Sequence, residues 1–157
     1  MSFTQDVRPN TGHELTLVRD YDAPRELVFR MWVEPEHMRV WSCPRGFTIP
    51  HAEGGSARVG GSFRVTMRGP DGANHTLRGA YLEVTPVSRI VFTHAWEQDD
   101  GQMSPQTTVD VRLDDLGGKT RLTLHQAFFD SAGSRDGHEE GWSESLDKLT
   151  EYLETQS

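Results

Sequence analysis

The sequence predicts an α+β domain: a curved antiparallel sheet of six to seven short strands wrapped around a long C-terminal helix, with two short helices after the first strand. Three observations carry this expectation. Between residues 58 and 129 apolar residues recur at every second position and are broken by clusters of Gly, Pro, Asp and Asn. Residues 22–41 switch to the spacing of an amphipathic helix. The same spacing returns near the C-terminus, after residue 137.

Taken in order, the first dozen residues are polar and contain Pro9, Asn10 and Gly12, which reads as a flexible arm over 1–12 ahead of a single domain over 13–157. HELTLVRDY then alternates, with Leu15 and Leu17 on one side and Thr16 and Val18 on the other, as a strand does. Asp22, just ahead of Pro24, is an N-cap signal, and Leu27, Val28, Met31 and Trp32 form the apolar stripe of the helix that follows. Pro35 ends that helix and opens a second one bearing Met38 and Trp41.

Phe63, Val65 and Met67 share one face of the next strand, GPDGAN reverses the chain, and HTLRGAYLEV returns it to the turn TPVS. In RIVFTHAW the inward set is Ile90, Phe92, His94 and Trp96; after EQDDGQMSP it is Thr107, Val109, Val111 and Leu113. DDLGGKT is a hairpin loop, and RLTLHQAFF, with Phe128 near its end, is the last strand. Short reversals between consecutive strands specify an antiparallel meander. His138, Trp142, Leu146, Leu149 and Leu153 then repeat at three to four residues, while the acidic residues lie largely elsewhere, so a helix over 138–153 is built to lie on the sheet.

Bulk properties exclude several function classes. With 157 residues, 34% of them hydrophobic, the chain supports one real core and not two. The net charge is −8, concentrated in residues 79–157, where six bases meet fifteen acids. Such a surface repels phosphate backbones and anionic lipid headgroups, which argues against nucleic-acid and membrane partners. Cys43 is the only cysteine and the N-terminus has neither a basic start nor an apolar run, so the cytoplasm is the expected location.

The stretches RDYDAPRELVFRMWVEPEHMRVW, VGGSFRVTMRGPDG, LRGAYLEVTPVSRIVFTH, GGKTRLTLHQAFFD and HEEGWSESLDKLTEYL resemble, in order and spacing, the homologues of the activator of the heat-shock protein 90 ATPase. That family is similar to the START and birch-pollen-allergen-like helix-grip domains (the SRPBCC superfamily). The resemblance spans about residues 15 to 153 and implies a seven-stranded sheet gripping the C-terminal helix. It supplies no shared catalytic set, since the superfamily includes carriers, cyclases and the co-chaperone domain itself. A chaperone partner and a role in the stress response are implied by the resemblance alone.

Motifs for specific chemistry are incomplete. HEEGW starts like the zinc-protease pattern H-E-x-x-H, but position 142 is Trp, and no other pair among the seven His is spaced for a helix-borne metal. EGGSARVGGS lacks the G-K-[ST] ending of a phosphate loop and leads into a strand, so it reads as a turn with close backbone approach. Cys43, in the loop WSCPRGF, has no neighbour in sequence that would activate it. No metal or cofactor is expected.

What remains is an inward-facing aromatic set. Trp41, Phe63, Met67, Phe92, His94, Trp96, Phe128 and Trp142, with Leu146 and Leu149, are the candidate wall of a cavity between sheet and helix. Gly141 is expected to let sheet side chains approach the helix there. The reading is a non-enzymatic, or at most weakly catalytic, domain that binds a small apolar or aromatic molecule. Two alternatives stay open: a co-chaperone-like interaction module, and a cavity enzyme using His94. A homodimer is equally open.

Overall fold

In the computed structural model, which describes residues 13–54 and 57–156, the first two strands lie at opposite edges of one sheet. Strand β1 (Leu15–Tyr21) leads into helices α1 (Arg25–Val33) and α2 (Pro35–Trp41). Strands β2 (Thr48–Glu53), β3 (Ser62–Arg68), β4 (Asn74–Thr85), β5 (Arg89–Trp96), β6 (Thr107–Asp115) and β7 (Thr120–Ala127) follow, and helix α3 (Ala132–Glu154) closes the order. The sheet is antiparallel throughout, in the order β1-β7-β6-β5-β4-β3-β2. Strands β3 to β7 are the meander that the short reversals predict, and β2 extends it at the edge. Strand β1 joins beside β7, so α1 and α2 carry the chain from one edge to the other. The arm read over residues 1–12 lies outside the described residues.

Strand β2 is the one that alternation does not reveal. Only Ile49 is buried along it, Pro50 interrupts it, and its register against β3 shifts between Thr48 and His51. An edge position explains the tolerance, because an edge strand leaves N–H groups that the sheet does not need.

Two helix boundaries also differ from expectation. Asp22 does not cap α1: it lies two residues before Pro24, which holds the cap position in extended conformation without a side-chain bond. Helix α3 starts at Ala132 rather than 138, and Ser131 caps it by accepting a hydrogen bond from the Ser134 N–H at 3.1 Å. Gly133 and Gly137 weaken the helical signal of that first stretch and hide it from periodicity.

Apolar residues separate into two clusters. The larger joins Val28, Met31 and Trp32 of α1 with Val109, Val111, Leu122 and Leu124 of β6 and β7 and with Leu146, Leu149 and Leu153 of α3. The smaller joins Cys43, Ile49, Met67 and Leu77, with Phe47 and Val65 against it. Helix α3 packs on β1 and α2 and makes no comparable packing with β3, β4 or β5. At that end a register shift between Tyr81 and Glu83 bends β4. Gly79, one strand over from Phe63, has no room for a side chain, because the Phe63 ring and the Thr93 carbonyl occupy its place. Sheet and helix therefore part where β3, β4 and β5 curve away. Among the described residues no helix is long and apolar enough to cross a membrane.

Candidate functional site: an apolar cavity under helix α3

The space between the two clusters is a cavity of about 620 Å³ with a predominantly apolar wall. Alternation positions its floor: Phe63, Val65 and Met67 from β3, Leu77 and Tyr81 from β4, and Phe92, His94 and Trp96 from β5. One side comes from Trp32 and Met38, with Phe47 and Ile49 beyond α2. The roof is α3, through Gly133, Gly137, His138, Gly141 and Trp142. Gly133 and Gly137 are exposed, as are Arg39, Glu53, Gly54 and His75, which places these residues on the rim of the cavity.

Two ring clusters shape the wall. Phe63, Tyr81 and Phe92 contact one another with centroids 5.4 to 6.1 Å apart. Further along β5, His94 lies 5.4 Å from Trp96 and 5.5 Å from His138, whose ring is 5.0 Å from that of Phe129. The contacts are edge-on or tilted, as ring quadrupoles favour.

Hydrogen bonds hold the roof to the floor. Trp142 stacks on Trp32 at 5.7 Å, and its Nε1–H donates to Gln126 Oε1 at 2.8 Å. The Gln126 amide donates in turn to Thr107 Oγ1 (2.8 Å), and that hydroxyl donates to the His94 carbonyl (3.0 Å). Gln126 and Thr107 are buried, so this chain fixes the Trp142 ring and satisfies groups that water does not reach.

His138 is fixed in one tautomer. Its Nδ1 lies 2.7 Å from the Ser134 carbonyl, which only accepts, so Nδ1 carries the proton. Its Nε2 then accepts from Trp96 Nε1 at 2.9 Å. The bond from Trp96 requires the neutral ring, and burial pushes its pKa below the ordinary histidine value. Burial, reinforced by His138 nearby, lowers His94 further, to about 3. Burial raises the Tyr81 hydroxyl to about 12. His94, His138 and Tyr81 are thus uncharged at neutral pH.

Of the residues picked out by sequence, Phe63, Met67, Phe92, His94, Trp96 and Trp142 border the cavity. Trp41 does not: it sits behind Trp32, edge-on at 4.7 Å, with its Nε1–H bonded to the Met31 carbonyl. Leu146 and Leu149 belong to the larger cluster. Phe128 leaves the strand face because β7 ends at Ala127 and Phe128 adopts a φ of 76°; Phe129 turns inward in its place. Gly141 faces Pro44, 3.5 Å from where a Cβ would stand, rather than the sheet. Cys43 is buried, with its carbonyl accepting from Lys148 Nζ at 2.9 Å.

Sequence reasoning missed Trp32, Tyr81 and His138 as wall residues. Tyr81 was within reach, since it continues the alternation of Leu77 and Gly79. Trp32 and His138 lie on apolar stripes whose docking decides whether they meet a neighbour or a void. Among the described residues no group of three His, Cys, Asp or Glu converges as a metal site.

A curved sheet gripping a C-terminal helix over an apolar cavity defines the helix-grip class. Within it the chain belongs to the AHSA1 family: the profile described as Activator of Hsp90 ATPase homolog 1-like protein matches residues 22–154. An AHSA1 protein from Silicibacter pomeroyi is similar in structure, with a TM-score of 0.85 and 25% identity, over 92% of this chain and 99% of that one. Proteins from Chromobacterium violaceum (TM-score 0.80, 27% identity, 90% and 97% covered) and Nitrosomonas europaea (0.75, 29%, 91% and 95%) are similar as well. No match is found among curated proteins.

Proposed function

We propose that this protein binds a small apolar or aromatic molecule in the cavity between β3–β5 and α3. The observation that carries the proposal is the cavity itself, about 620 Å³ bounded mainly by apolar and aromatic side chains. Protein interiors hold few voids larger than a water molecule, whereas small-molecule sites run from about 300 to 1,000 Å³. The rings that face it would otherwise gain by closing on each other.

Two features favour binding over the alternatives. A general base works best when its conjugate acid titrates near the working pH, and His94, at about 3, is far below it. A co-chaperone-like surface calls for a contiguous exposed apolar patch, but the exposed large apolar residues Val18, Val40, Val59, Leu82, Met103 and Leu116 come from different strands, helices and loops. A cytoplasmic setting is part of the proposal and accords with a lone, buried cysteine.

An apolar fluorescent probe tests the reading. Binding is expected at micromolar affinity, about −8 kcal/mol, with quenching of tryptophan emission from Trp32, Trp96 and Trp142. Met67→Trp fills the floor and is expected to abolish binding while the fold persists. Absence of probe binding by the wild-type protein would overturn the proposal.

A further inference from the structure

Several polar side chains bordering the cavity have a protein partner. His138 uses both nitrogens, the Trp142 indole bonds Gln126, Ser145 Oγ donates to the Gly141 carbonyl at 3.0 Å, and Arg39 donates to the Ile49 carbonyl at 3.2 Å. The buried Nε1–H of Trp32, which also borders the cavity, has none among the described residues, and His94 and Tyr81 likewise lack one. The His94 residue is 6% exposed, and neither of its ring nitrogens hydrogen-bonds to another of the described residues. The Tyr81 hydroxyl is likewise without a partner among them.

These two groups belong to one patch of floor. Tyr81 pairs across the sheet with Phe92, and His94 lies two residues further along β5 on the same face. They are therefore diagonal neighbours, their backbones roughly 7–8 Å apart. An imidazole facing an apolar cavity without a protein partner leaves its hydrogen bonds unmade, so a ligand atom that bonds it gains what the empty protein lacks. Both groups are neutral at physiological pH, and both can donate as well as accept. An anion or a cation brought to this patch would lose hydration, and His94 and Tyr81, both neutral, would offer it no opposite charge.

Building on the binding role proposed above, we propose that His94, assisted by Tyr81, is a polar subsite that takes a neutral hydroxyl group carried on an aromatic ring compound. A hydroxyl fits because it donates and accepts at once, which suits either His94 tautomer. A ring body fits because Phe63, Phe92, Trp96 and Trp142 offer faces and edges around the subsite. As a gauge of size, an apolar cavity of about 150 Å³ holds benzene, so this one has room for about four such rings. His94 acts here by selecting the ligand's polar group, with no proton changing owner.

The test compares naphthalene, 2-naphthol and 2-naphthoate at pH 7, by calorimetry or by tryptophan quenching. The wild-type protein is expected to bind 2-naphthol about tenfold or more tighter than 2-naphthoate. His94→Phe is expected to weaken 2-naphthol about tenfold and to leave naphthalene within about twofold, because only one probe can use the lost bond. His94→Gln, which keeps a donor and an acceptor, should restore part of the difference. Tyr81→Phe removes one oxygen and keeps the ring, and it should show the same split on a smaller scale even if a change at His94 disturbs folding. Equal loss of both neutral probes, or naphthoate binding as tightly as naphthol, overturns the subsite while the binding role stands. Failure of all three probes to bind overturns both.

Discussion

Gly137 lies inside α3, on the face that borders the cavity, and a Cβ placed there meets nothing within 4 Å. Glycine in a helix interior is about 1 kcal/mol less favourable than alanine, so Gly137→Ala should stabilise the protein by about that amount. For a protein of this length the expected rise in melting temperature is about 2–4 °C. A methyl group removes little of a cavity of about 620 Å³, so affinity for an apolar probe should hardly change. Gly137→Phe also suits the helix, but its ring fills the mouth, and affinity should fall about tenfold or more. Urea denaturation reads the first effect and probe titration the second. If Gly137→Ala lowers stability, the space assigned to that face is not there; if Gly137→Phe leaves binding intact, the mouth lies elsewhere.

Acid should destabilise the protein in a way that depends on His94. Its folded pKa, about 3, lies below the ordinary 6.5, so the unfolded chain takes up the proton first; stability is complete above pH 6.5 and is lost as pH falls toward 3. The loss is about 1.4 kcal/mol per pH unit, or roughly 2 kcal/mol at pH 5, with His138 adding in the same direction. Denaturation at pH 7.5 and pH 5 should show a smaller drop for His94→Phe, and an identical drop refutes the assignment. Trp142→Phe keeps the ring over Trp32 but leaves the buried Gln126 Oε1 without its donor, which should cost about 1–3 kcal/mol. A loss below about 0.5 kcal/mol by chemical denaturation would show that this bond does not hold the roof. Val87 sits at φ 57° in a turn closed by the Ser88 N–H on the Thr85 carbonyl, a conformation that a β-branched residue resists. Val87→Asn should therefore raise stability by about 1 kcal/mol, and a thermal melt that shows no gain contradicts the strain.

Strands were legible wherever one face is buried without interruption. Phe63 and Met67, or Phe92, His94 and Trp96, share a face because side chains alternate with period two whatever lies opposite. Strand β2 escaped because Pro50 and the register shift break that period in six residues. The start of α3 escaped because Gly133 and Gly137 carry no apolar signal, although Ser131 was there to cap it. Phe128 illustrates a different limit: alternation continues on paper past Ala127, but a single left-handed residue ends the strand and hands the inward place to Phe129.

The order of the elements, the inward set of each strand and the apolar stripe of α3 were determined by the sequence itself, because they follow from local periodicity and from turn residues. The cavity was decided by the tertiary structure. Whether an inward side chain meets a neighbour or a void depends on where α3 docks, and α3 docks on β1 and α2 while β3, β4 and β5 curve away. That geometry alone separates Leu146 and Leu149, which pack, from Trp142, which faces open space four residues earlier on the same stripe. The same holds for the histidines. His138 is held in its neutral form by Trp96, 42 positions away along the chain, and His94 owes its lack of a partner to distances that no pattern of neighbours in sequence encodes.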